Sequence, residues 1–161
     1  LTTLNSCAQK DKSKRPSPPA TVSQKVGETT ITIDYSQPSV KGRTIGVDLE
    51  PKEGKVWRAG ANEATVFEVD SDVLVEGQTL PKGKYGFYVL VSDGVWNMIF
   101  SKTWDTWGTN YKEADDVLRV PAKNGKADPA AEKLTYQINS SGQVTLLWGD
   151  TKTSFQVQEK K

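Results

Sequence analysis

Seven consecutive residues, Trp57-Arg58-Ala59-Gly60-Ala61-Asn62-Glu63, gather a forked donor, an amide and a carboxylate around three small residues that let backbone approach closely. A guanidinium presents its donors in a planar fork that matches carboxylates and phosphates. The cluster therefore has the means to grip a polar ligand, with Trp57, Arg58, Asn62 and Glu63 as candidates and Arg43 from the preceding run 34–43 beside them. A structural alternative uses the same residues. Arg58 and Glu63 would pair with each other, or with Asp34 and Arg43, in a polar network that pins a loop to a sheet.

A second cluster, Trp104-Asp105-Thr106-Trp107-Gly108-Thr109-Asn110-Tyr111, sets three aromatic rings among a carboxylate and an amide. Flat apolar faces with directional polar neighbours suit sugars, which makes Trp104 and Trp107 candidate carbohydrate contacts. Alternatively both tryptophans close one end of the fold. For catalysis the composition leaves few options. The chain has no His, one Cys and one Met, so Ser–His, Cys–His and His–zinc chemistries are excluded, as are thiolate metal clusters within a monomer. Glu63 with Asp34 or Asp105 is the remaining candidate acid/base pair, with Arg58 orienting an anionic group. The groupings Asp70-Ser71-Asp72 and Asp115-Asp116 lack the spaced oxygen pattern of a calcium loop, so no metal or cofactor is expected.

Lys and Arg number 21 against 20 Asp and Glu, a formal net charge of +1, without the basic excess of a nucleic-acid binder. The 161 residues suit one domain. Residues 1–19 read as a truncated signal remnant and a flexible linker, and residues 20–161 as the folded part. Leu4-Asn5-Ser6-Cys7 resembles the lipobox of bacterial lipoproteins. The charged, Pro-containing run that follows, Ala8 through Pro19, has no apolar periodicity. Cys7 is thus the expected lipidation site, and an exported, membrane-tethered domain the expected location.

Strands carry these clusters. Ile31, Ile33 and Tyr35 alternate with polar residues, as do Phe67 and Val69. Leu134, Tyr136 and Ile138 alternate likewise, and Val144, Leu146 and Trp148 follow a Ser-Ser-Gly turn, giving a clear hairpin. Residues 85–91 and 95–100 are apolar on both faces and meet across Ser92-Asp93-Gly94, which predicts a central hairpin covered by a facing sheet and by loops. Trp96 and Trp148 belong to the core on this pattern. Short helical turns are expected only over 111–116 and 128–133, the second opening on Asp128 as cap with Pro129 behind it. The expected fold is all-β, a two-layer antiparallel sandwich of about ten strands, jelly-roll or Greek-key-like.

Five ordered motifs carry a family resemblance: Arg15-Pro16-Ser17-Pro18-Pro19-Ala20, the run Asp34-Tyr35-Ser36-Gln37-Pro38-Ser39-Val40-Lys41-Gly42-Arg43, the run from Lys55 through Thr65, Leu80-Pro81-Lys82-Gly83-Lys84-Tyr85, and Asp105-Thr106-Trp107-Gly108. Together they resemble the bacterial domain-of-unknown-function family DUF2911. The resemblance implies an exported bacterial protein of unassigned activity and brings no catalytic residues with it. Three functions stay open. The first is a non-enzymatic cell-envelope binding or interaction module, a glycan or an envelope protein being its partner. The others are a carboxylate-based hydrolase or lyase acting on envelope polysaccharide, and a structural component of an envelope assembly.

Overall fold

The computed structural model describes residues 12–160. Eleven strands form two antiparallel sheets. The larger sheet contains β1 (Pro19–Val26), β2 (Thr29–Ser36), β4 (Thr65–Val69), β7 (Gly83–Ser92), β8 (Val95–Ser101) and β9 (Asp116–Pro121), adjacent in that order. Two-residue β3 (Val56–Trp57) pairs with β7 at Leu90 and Val89, beyond the part of β7 that pairs with β4. The smaller sheet runs β10 (Lys123–Ile138), β11 (Gln143–Glu159), β5 (Val73–Val75), β6 (Gln78–Leu80). The chain thus leaves the large sheet after β4, makes the β5–β6 hairpin in the other layer, and returns as β7 beside β4.

Period-two burial creates this sandwich. In β2, Ile31, Ile33 and Tyr35 are buried while Asp34 is exposed. Phe67, Phe87, Phe100 and Phe155 form the centre of the core, Phe67 lying 5.0 Å from Phe100 and 6.2 Å from Phe155 of the opposite sheet. Trp96 and Trp148 are core residues as expected. The β7–β8 hairpin is buried on both faces. Phe87, Val89, Met98 and Phe100 face the main core, while Tyr88 and Ile99 on the outer face make a second cluster covered by Val56, Leu90 and Tyr111. The expected hairpin of residues 134–148 is also present, with Ile138 opposite Val144 and Tyr136 opposite Leu146.

Two helical expectations meet different outcomes. Within 111–116 a single 3-10 turn forms, Glu113–Asp115. Residues 128–133 are strand instead, lying inside β10, which continues past Asp128 and Pro129 with register shifts against β11 around Ala131. The local cap signal is overridden because remote segments supply backbone partners: Ala131 lies opposite Gly149 of β11, while the Glu132 carbonyl accepts the Val40 amide and the Leu134 amide donates to the Pro38 carbonyl, with a bulge accommodating the extra residues.

Cys7 lies outside the described residues. Of the segment read as linker, Lys12–Lys14 form a 3-10 turn and β1 begins at Pro19. Between them Arg15 bonds to Glu63, and the Ser17 carbonyl accepts the Asn62 amide. No helix among the described residues is long and apolar enough to cross a membrane.

Candidate functional site

The segment after β3 is held by its backbone carbonyls. Trp57 Nε1 donates to the Gly60 carbonyl at 3.1 Å, and the Ala59 carbonyl accepts both Thr65 Oγ1 at 3.1 Å and the buried Tyr136 hydroxyl at 2.6 Å. Burial pushes the Tyr136 hydroxyl well above the ordinary tyrosine range, which keeps it a donor. Ala59 and Asn62 hold left-handed φ values of 52° and 61°. Non-glycine residues adopt this region at a cost of order 1 kcal/mol each, sustained only where surrounding contacts dictate it. Gly60 is needed for close approach, since a Cβ there would lie 2.7 Å from Thr65 Oγ1 and 3.1 Å from the Ser36 carbonyl. The small-residue run therefore does what its composition suggests, letting the loop sit directly on β2 and β4.

This loop forms one wall of a cleft of about 510 Å³. Trp57 and Trp148 lie at its base, stacked with centroids 6.1 Å apart and planes 23° from parallel. Both are almost fully buried, so Trp57 is a core residue whose edge reaches the cleft and not a free stacking platform. The opposite wall comes from the loop between β2 and β3. There Trp148 Nε1 donates to the Glu50 carbonyl, and Asp48 accepts the Thr44 amide. Arg43, Lys52, Lys55 and Arg58 line the cleft together with Asp48 and Glu50, and Ser17 contributes from the N-terminal segment.

The candidate residues separate on this geometry. Arg43 folds back on its own loop, donating through Nε to the Val40 carbonyl and through Nη2 to the Ser39 carbonyl. Asn62 spans inward and outward. Its carbonyl accepts the Gly108 amide, and its side chain holds Ser17. Glu63 pairs neither with Arg58 nor with Arg43, contrary to the structural network expected. Its carboxylate takes Arg15 Nη1 at 2.6 Å and Lys12 at 3.7 Å. Burial pushes Glu63 up, but the Arg15 hydrogen bond and the charges of Lys12 and Arg15 outweigh it and hold the group below its ordinary value. Asp34 accepts the Thr21 hydroxyl.

Arg58 is the exception. Arg15, Arg43 and Arg119 all have hydrogen-bond partners, whereas Arg58 Nε is the buried side-chain polar atom among the described residues that has none. Leaving a buried donor unsatisfied costs about 1–3 kcal/mol. The stem of Arg58 is clamped under the backbone of Gly108, and the residue lines both the large cleft and a neighbouring one of about 270 Å³ with Gly108, Thr109 and Tyr111.

The aromatic side chains of the second cluster do not line this cleft, although its Gly108 packs on Arg58. Trp104 and Trp107 are 37% and 46% exposed, so neither closes the sandwich as a core residue would. Lys84 sits 4.7 Å over the Trp104 ring. Trp107 makes a backbone bridge to Glu63. Tyr111 turns inward against Tyr88, its hydroxyl donating to Asp116 and accepting from Arg119. Burial and the Asp116 hydrogen bond push that hydroxyl far above the ordinary range. Trp104 does line a separate cleft of about 380 Å³ with Asp34, Glu63 and Asp105, the three carboxylates singled out from the sequence. Among the described residues no group of three or more His, Cys, Asp or Glu could hold a metal ion.

Asp48, Leu49, Glu50 and Lys52 are the cleft residues that lie outside the clusters and motifs quoted from the sequence. Their signal was modest: a charged, Pro-containing loop, Asp48-Leu49-Glu50-Pro51-Lys52, leading toward Trp57. No curated protein and no solved structure matches the chain. A family model described as protein of unknown function, DUF2911, matches residues 17–157, which span the Arg58 loop, the cleft and both sheets, and the chain belongs to that family.

Proposed function

We propose that this chain is a non-enzymatic binding module of the bacterial cell envelope, carried on its N-terminal segment and lipid-anchored at Cys7, with the cleft beside Arg58 as its ligand site. The observation that carries this reading is the cleft itself. It is the largest described, it is lined by polar loops over a buried tryptophan pair, and Arg58 lines it with a buried Nε that has no hydrogen-bond partner among the described residues. A concave site with a few convergent polar groups on a fixed base is the usual form of a small-ligand site. Envelope glycans and peptidoglycan fragments are ligands of suitable polarity.

The alternative of a carboxylate-based hydrolase or lyase draws support from the shared cleft of Asp34, Glu63 and Asp105. Against it, Glu63 is neutralised by two cations and held as a carboxylate, so it is poorly disposed to donate a proton.

The test is a panel of neutral and acidic glycans, peptidoglycan fragments and envelope proteins titrated into the isotopically labelled chain. Saturable amide shifts on the loops 38–50 and 57–61, with the ligand recovered unchanged, support the binding module. Turnover abolished by Glu63→Gln would replace it with the enzyme.

A further inference from the structure

We infer that the cleft takes an oxyanion, a carboxylate or phosphate group carried by an envelope saccharide, and that Arg58 is its direct ligand. This rests on the binding-module reading and names the ligand class of that same site. Four cations line the cleft against two carboxylates. Arg43 spends its donors on the carbonyls of Ser39 and Val40, and the Asp48 carboxylate accepts the Thr44 amide, so both are largely committed to shaping the loop. Arg58 is not committed. Among the described residues it meets no carboxylate within ion-pair distance and its buried Nε meets no hydrogen-bond acceptor, although Asp48 and Glu50 share the cleft with it.

The side chain is nonetheless positioned. Gly108 packs so closely on it that a Cβ there would lie 2.1 Å from Arg58 Cδ and 2.9 Å from Cβ. The stem is thus immobilised before any ligand arrives, and a planar fork held in one place loses little rotamer freedom on binding. An unpaired, partly desolvated guanidinium attracts an oxyanion more strongly than one already screened by solvent or a carboxylate. Lys52 and Lys55, on the charged turn leading into β3, add positive potential at the cleft wall. The buried Trp57–Trp148 stack lies beneath the cleft and holds its two walls through the Gly60 and Glu50 carbonyls.

The test titrates the full chain at low salt with three probes: glucuronate, inorganic phosphate and glucose. Saturable binding of glucuronate or phosphate at the cleft is expected, with glucose binding at least tenfold more weakly; the stronger of the two anions identifies the source. Arg58→Gln should weaken anion binding by tenfold or more while the thermal midpoint stays level or rises, because a buried Nε–H without an acceptor is removed. A second variant, Lys52→Gln/Lys55→Gln, touches only the charged turn and should weaken binding a few-fold and flatten its salt dependence. Unchanged affinity in Arg58→Gln, or equal binding of glucose and glucuronate, overturns the inference. If neutral sugars bind the cleft regardless of Arg58, the binding-module reading survives and the oxyanion assignment falls. If neither these probes nor the broader panel shifts the cleft, both fall.

Discussion

Gly108 rests on the stem of Arg58, so that a single added methyl group would have to occupy the place of the Arg58 side chain. The same methyl group would stand 2.9 Å from the Asn62 carbonyl, which accepts the Gly108 amide. Gly108→Ala should therefore push Arg58 out of position and loosen the junction of the two loops. Overpacking of this kind costs about 1–3 kcal/mol. Urea denaturation should show that loss, and titration with the anion that binds the parent chain should show weaker binding in the folded variant.

Tyr136, on the small sheet, reaches across the sandwich to the Ala59 carbonyl. Tyr136→Phe would leave that carbonyl with Thr65 Oγ1 alone, at an expected cost of about 1–2 kcal/mol. A lower urea midpoint with an unchanged m-value would report the loss, and amide shifts confined to residues 57–64 would locate it. An unchanged midpoint would show that this bond does not hold the loop.

The Glu63 ion pairs make a small contribution to stability that depends on pH. Because the folded group titrates below its ordinary value of 4.5, the folded state binds fewer protons. The contribution is fully present above the ordinary value and disappears as pH falls through the folded one. With the Glu63 side chain 40% exposed, solvent screening limits it to about 0.5 kcal/mol or less. Thermal melts should place Glu63→Gln slightly below the parent at neutral pH, with the two curves converging in acid. A gap that widens in acid would contradict the assignment.

Phe67 is fully buried among Phe87, Phe100 and Phe155, where it joins the two sheets. Phe67→Ala should cost about 3–5 kcal/mol, since both the transfer term and the residual cavity count. Calorimetry would show the fall in midpoint.

Trp104 offers the opposite case. It is partly exposed and touched by Lys84, away from the Arg58 cleft. Trp104→Ala should change stability by no more than about 0.5 kcal/mol. It should also leave anion binding intact. A large loss of ligand affinity would move the site to the cleft of Asp34 and Glu63.

Much of the sandwich was legible because burial on one sheet face writes itself into sequence with period two. Ile31, Ile33 and Tyr35 show it, and the doubly apolar run of residues 85–100 announced a hairpin covered on both sides. Residues 128–133 misled because Asp-Pro is a local helix-start signal, while the pairing that overrides it comes from segments remote in sequence, Gly149 of β11 opposite Ala131 and residues 39–40 beside Glu132 and Lys133. The partner of Glu63 was hidden for a related reason. Arg15 is 48 residues away, in a stretch whose composition suggests a linker, and only the folded loop brings the two together.

Alternation and residue type are properties of the chain, and they alone make this an antiparallel β protein without histidine chemistry whose run 57–63 carries unusual polar potential. Which polar groups find partners depends on the folded arrangement. Glu63 is claimed by Arg15 and Lys12, Arg43 by its own loop, and Trp57 by the core, while the Nε of Arg58, clamped under Gly108, has no partner among the described residues. Pairing depends on distances of a few ångströms between segments remote in sequence, and those distances exist only once the two sheets have packed.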